Sequence, residues 1–250
     1  AATDLCRGAT AVNTEPIDAG ARNTEERRKQ GDRCNDHQQD DHRDRDPRGG
    51  HERDSRNREA EDRDDDGAAS ETFGYNQGYL GPTIRVQAGV ETRAEVHNTL
   101  GEPMSAHWHG LVVAGEFDGG PHQAIAPGDT WKPVLDLDQP PATAWYHSHI
   151  HGATARQVMH GLAGVLHVTD GADDDRGLPS TYGVDDLYLV LQDKNFLTDG
   201  QMIYDPGMMG IMHGYSGDTM LINGQIGTVA TVPKGLVRLR LLNGSNARIY

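Results

Sequence analysis

Cysteine is almost missing from this chain. Both of its cysteines, Cys6 and Cys34, lie near the start of 250 residues, and none occurs in residues 71–250. A disulfide between them would tie together a segment with nothing to bury, so the pair is assigned no structural role, and the scarcity points to no particular compartment. Long apolar runs are absent too. None approaches the roughly 20 residues of a membrane-spanning helix, which argues against membrane insertion. The N-terminus also lacks the basic-then-apolar pattern of an export signal, so either a leader has been removed or Ala1 is not the natural start. Positive charge is the third deficit, with 23 Lys and Arg against 38 Asp and Glu. Residues 1–70 hold 13 of the basic and 19 of the acidic residues, which leaves about −9 for the remainder. A surface of that sign argues against nucleic acid and anionic membranes as partners, since phosphate binding needs a basic face. It also repels anionic substrates and draws in cations.

What is present divides sharply. Residues 34–66 are almost wholly charged or polar, with Pro47 and Ala60 as apolar interruptions. Residues 1–70 are therefore expected to be disordered. The approach to Thr72 through a run of aspartates also suggests that residues up to about Ser70 are non-native, as a shifted reading frame would leave them. From Thr72 onward short apolar runs alternate with turn residues, and 31 Gly and 12 Pro suit a turn-rich β protein. Strands are expected over 83–86, 91–98, 105–112, 130–137, 143–149 and 164–169. Such spacing predicts an all-β sandwich over residues 71–170. Residues 171–183, with Asp173, Asp174 and Asp175, read as an acidic linker. A second domain over 184–250 is expected to place strands at 186–192, 219–223, 228–232 and 236–242. These are too few to close a sandwich, so a truncated second domain is inferred.

Two short runs carry the chemistry: His107-Trp108-His109-Gly110 and Trp145-Tyr146-His147-Ser148-His149. Side chains at i and i+2 of a strand share a face, so each His-x-His can aim two imidazoles at one point. An unpartnered imidazole inside an apolar strand is costly, and two such pairs in one domain favour a metal site over satisfied core histidines. Four neutral imidazoles without a cysteine suit copper, zinc, iron or nickel rather than magnesium or calcium. His151 continues the spacing but reads as structural. His97, His122, His160 and His167 lack a partner at strand spacing and read as surface or core residues, while His37, His42 and His51 sit among charges. The run Met208-Met209-Gly210-Ile211-Met212-His213 is compatible with cuprous ion, yet loop packing is the simpler expectation.

These runs, with Glu116-Phe117-Asp118-Gly119-Gly120 between them and Gln192-Asp193-Lys194, Gly217-Asp218-Thr219 and Leu242-Asn243-Gly244 after them, resemble multicopper oxidases over residues 72–250. Within that family the likeness is to bacterial copper efflux oxidases and laccase-like enzymes. The resemblance implies a Greek-key cupredoxin domain, also called plastocyanin-like, followed by the start of a second. It implies that His107 binds a type 2 copper, that His109 binds one type 3 copper, and that His147 and His149 serve one type 3 copper each. Asp118 would be the carboxylate that helps deliver protons, although a plain turn aspartate before Gly119 is the competing reading. The reaction implied is one-electron oxidation of cuprous ion, phenols or similar donors, coupled to reduction of dioxygen to water, in the periplasm or cell exterior as part of copper homeostasis.

A blue copper site requires a cysteine thiolate, so the type 1 site is absent from this chain. The remaining cluster ligands, which the family takes from a third cupredoxin domain, are missing as well. The chain alone is therefore expected to be inactive, as an N-terminal part of a longer enzyme. The alternative is a copper-binding or copper-sequestering module without turnover. A copper nitrite reductase is less favoured, because its first domain should carry a cysteine-bearing site.

Overall fold

The computed structural model describes residues 17–23, 70–172 and 176–250, the first of these as backbone only. In chain order the strands are β1 (Ile17–Asn23), β2 (Glu71–Tyr75), β3 (Ile84–Gln87), β4 (Thr92–Arg93), β5 (Val96–Asn98), β6 (His107–His109), β7 (Thr130–Trp131) and β8 (Val134–Leu135). They continue with β9 (Ala142–His147), β10 (Ala163–Thr169), β11 (Asp186–Phe196), β12 (Met202–Ile203), β13 (Thr219–Ile222) and β14 (Arg238–Asn243). Among the described residues, two short α-helices, α1 (Thr154–Met159) and α2 (Gly207–His213), and one 3-10 turn at Gly115–Phe117 interrupt them.

Two of the sheets form a two-layer sandwich. One sheet runs β2-β1-β5-β7 and the other β3-β10-β9-β6. Residues from both meet in one core, with Tyr75 and Val96 from the first sheet packed with Val86, Trp108, Tyr146, Leu166 and Val168 from the second. The all-β expectation holds, and most expected strands are found within a few residues of their anticipated bounds. Two are broken. The segment at 91–98 divides into β4 and β5, and that at 130–137 into β7 and β8. Pro133 has no N–H to give to a ladder, so the strand is interrupted there. After the break β8 pairs with β4, whereas β5 pairs with β7.

The expectation that residues 1–70 are disordered is corrected at one place. Ile17–Asn23 forms a strand between β2, antiparallel, and β5, parallel. It precedes the highly charged run, and a position between two strands satisfies its main-chain groups on both sides. The rest of 1–69 lies outside the described residues, as do Asp173, Asp174 and Asp175 of the expected linker.

The sheet β12-β11-β13, with β14 also paired to β11, packs behind β10. Period-two alternation explains how β10 serves both units. Leu166 and Val168 enter the sandwich core, while Ala163 and Val165 join Tyr79, Leu80, Val158, Tyr188 and Val190 in a second cluster. Along β14 the alternation runs opposite to hydrophobicity. Arg240 is buried and pairs with Asp186 through Nε to Oδ1 at 2.7 Å and Nη2 to Oδ2 at 2.9 Å, whereas Leu239 and Leu241 are exposed. The strand expected at 228–232 is not formed, and Val229 and Val232 lie exposed.

Candidate metal centre

Strand alternation brings the histidines together. β6 and β9 are antiparallel, with His107 opposite His147, Trp108 opposite Tyr146 and His109 opposite Trp145. Trp108 and Tyr146 point into the core, so the flanking histidines turn to the other face. β6 is the end strand of its sheet, and its outer edge is covered by the loop at Asp118, whose main-chain oxygen accepts the Trp108 N–H at 3.1 Å.

The ligand-type nitrogens of His107, His109 and His147 all lie within 4.8 Å of one another. His149, two residues past His147, has left the strand, yet its ring centroid is 5.1 Å from that of His107 and 5.8 Å from that of His147. In two of the rings hydrogen bonds to main-chain carbonyls fix which nitrogen is available. His147 Nδ1 donates to the carbonyl of Ser148 at 2.8 Å, which leaves its Nε2 as a bare lone pair. His107 Nδ1 lies 2.9 Å from the carbonyl of Asp118, which leaves its Nε2 free. His147 Nε2 in turn faces His109 Nδ1 at 3.1 Å. His149 Nδ1 is buried with no hydrogen-bond partner.

Burial favours the neutral form of two of these rings, His147 and His109. It pulls the pKa of His147 down to about 4, aided by repulsion from the neighbouring imidazoles and opposed by the Ser148 carbonyl. His109 is lowered by burial and by repulsion from the neighbouring imidazoles. Neutral imidazole is the form that binds a metal ion. An orphaned buried nitrogen beside converging lone pairs is the donor set a soft or borderline cation takes, so these residues fit copper.

Asp118 closes the other side of His107. Its Oδ2 lies 3.2 Å from His107 Nδ1, the nitrogen its own main-chain oxygen also engages. A carboxylate behind a ligating imidazole orients the ring and raises its basicity. The loop reaches that position because Gly119 has φ +74° and a Cβ there would sit 1.9 Å from the carbonyl oxygen of Ala106.

Trp145 was not anticipated. Its ring stacks on His147 at a centroid distance of 4.1 Å and lies 5.2 Å from that of His109. The signal was its position two residues before His147, on the same face.

The histidines read as bland have ordinary surroundings. His167 is buried and bonds to the Tyr188 hydroxyl, His97 meets Thr130 Oγ1 at 2.9 Å, and His160 meets the carbonyl of Arg156 at 2.9 Å. His122 and His151 are exposed. His37, His42 and His51 lie outside the described residues. The methionine run differs from expectation: Met208, Met209 and Met212 form an exposed part of α2 instead of packing into a loop, because this helix buries none of its residues.

Comparison with known proteins agrees with this geometry. The family model described as "Multicopper oxidase" matches residues 57–173. This segment belongs to the multicopper oxidase family. The oxidase named mco from Staphylococcus aureus is 42% identical over 182 residues, covering 73% of this chain and 40% of that protein. Cell division protein FtsP of Yersinia pestis is 44% identical over 178 residues, covering 71% of this chain and 37% of that protein. Among solved structures, the laccase-like multicopper oxidase CueO from Ochrobactrum sp. superposes with a TM-score of 0.69 at 47% identity, over 72% of this chain and 40% of that one. The McoA multicopper oxidase of Aquifex aeolicus gives 0.67 at 36% identity, with 72% and 40% coverage. The chain thus spans about two fifths of the length of these relatives. As a multicopper oxidase domain it has a cupredoxin-like fold, and the family binds copper. Among the described residues no helix is long and apolar enough to cross a membrane.

Proposed function

We propose that the whole protein is a copper-dependent oxidase that takes single electrons from a small reductant and passes them to dioxygen, forming water. The observation that carries this reading is the convergence of His107, His109 and His147 within 4.8 Å, with His149 beside them. His107 holds a type 2 copper, His109 one type 3 copper, and His147 and His149 one type 3 copper each. Bound copper supplies the one-electron steps. The chain's own residues hold and orient it: the carbonyls of Asp118 and Ser148 set the rings of His107 and His147, and Trp145 walls off one side. The Asp118 carboxylate, partly open to solvent, carries protons toward the site as dioxygen is reduced.

Four imidazoles cannot complete three copper sites, and further ligands, from a third cupredoxin domain, complete the cluster. The type 1 site and its donor pocket lie outside these 250 residues. Cuprous ion, phenols and similar compounds are the donors, with the exposed thioethers of Met208, Met209 and Met212 favouring cuprous ion. The protein works in the periplasm or outside the cell, in copper homeostasis, and takes neither nucleic acid nor an inserted membrane as partner.

The relatives' names cover both oxidation and cell division, so turnover is the property to test. Copper stoichiometry, and oxygen consumption with phenols and cuprous ion supplied as electron donors, are measured on the 250-residue chain and on a chain extended by the remaining domains. Oxygen uptake by the extended, copper-loaded protein alone supports the reading. One tightly held ion in each without oxygen uptake makes the protein a copper-binding module instead.

A further inference from the structure

The β6–β9 ladder stops at His147, so no strand hydrogen bond fixes His149. A different device does. The main-chain N–H of His149 donates to Ser105 Oγ at 2.8 Å, and the main-chain N–H of Ser105 donates to Ser148 Oγ at 3.2 Å. Each serine hydroxyl thus grips an amide of the opposing segment. Ser105 lies two residues before His107, and Ser148 lies between His147 and His149.

The grip is locked from behind. Ser148 Oγ donates to Gln157 Oε1 at 2.5 Å, and Gln157 Nε2 donates to Glu102 Oε1 and to the carbonyl of Pro103, both at 2.8 Å. Glu102 is held by Arg156 Nη2 at 2.6 Å, and the Tyr75 hydroxyl donates to the carbonyl of Ser105 at 2.7 Å. Ser105, Ser148 and Gln157 are fully buried. A satisfied buried network of this kind has one low-energy arrangement, because any rotation leaves a polar group unpaired away from water.

We propose that Ser105 and Ser148, with Gln157 behind them, are positioning residues of the metal centre. Their crossed hydroxyl-to-amide bonds set the separation between the His107/His109 pair and the His147/His149 pair, and hold the His149 ring within reach of the others. The role rests on the copper reading for its ligand, but it acts already in the metal-free chain.

The test compares Ser105→Ala and Ser148→Ala with Val168→Ala, a core change at the end of β10 opposite Ala142 and away from the histidines. Melting temperature, imidazole 1H–15N spectra of the metal-free chain, and Cu(II) affinity by chelator competition are read for each. The serine variants are expected to shift or broaden the His147 and His149 signals and to weaken Cu(II) binding about tenfold or more. Val168→Ala should lose melting temperature without either effect, and Ser105→Thr, which keeps the hydroxyl, should restore both signals. Gln157→Met frees the Ser148 hydroxyl while leaving both serines, and reads the same quantities if a serine variant does not fold. The role is overturned if imidazole spectra and affinity change only in step with melting temperature, as in Val168→Ala. A wild-type chain that binds no Cu(II) sinks the copper reading, while the imidazole spectra still decide the serine clasp.

Discussion

His107 Nδ1 is held twice by one residue, by the main-chain oxygen of Asp118 at 2.9 Å and by its carboxylate at 3.2 Å. The ring is thereby fixed with Nε2 facing the cluster, and removing the carboxylate leaves the main-chain contact in place. Asp118→Ala should therefore lower Cu(II) affinity only about tenfold, the small end of the range for such outer contacts. Competition with a chelator of known strength checks this. A loss as large as that of a ligand deletion would make Asp118 a direct ligand.

His109 is exposed in the metal-free chain, whereas its Nδ1 faces His147 Nε2. His109→Ala should abolish tight copper binding yet leave the stability of the metal-free chain within about 0.5 kcal/mol, as surface substitutions do. Urea denaturation with and without copper separates the two effects. If copper stabilises the variant as much as the parent, His109 is not a ligand.

Asp186 and Arg240 form a paired, buried salt bridge between β11 and β14. Arg240→Ala strands a buried carboxylate and should cost about 3–5 kcal/mol, while replacing both residues with apolar ones of similar size should be close to neutral. Equilibrium unfolding of the single and double variants measures the difference.

Lys194 is buried, and that burial pulls its ammonium pKa from 10.5 to about 7, against the pull of Asp193. Between those values the unfolded chain binds a proton that the folded chain does not, so stability rises with pH across the window. The slope reaches at most about 1.4 kcal/mol per pH unit. Lys194→Met should flatten that rise, although it also removes the bond from Nζ to the carbonyl of Met159. Urea denaturation at three values between neutrality and pH 9 follows the slope, and an unchanged slope would falsify the assignment.

The histidine centre was legible because its signal is local. Alternation along β6 and β9 follows from covalent geometry, and large apolar residues at Trp108 and Tyr146 decide which face goes inward. Asp118 was legible only as a candidate, since a turn aspartate and a carboxylate behind His107 look alike until the loop is folded. The serine clasp left almost no trace, because Ser105 is 43 residues from Ser148 and serine and glutamine are common residue types. The burial of Arg240 with Leu241 exposed also ran against pattern, since the charge found its partner on a neighbouring strand.

By itself the sequence determined the β class, the four imidazoles and their pairing, because period-two alternation and the spacing of turns are properties of neighbouring residues. Only the tertiary structure decided that His107 stands opposite His147, that Ile17–Asn23 joins the first sheet, and that the second sheet packs behind β10. Those are contacts between distant segments, and their energies depend on which surfaces meet.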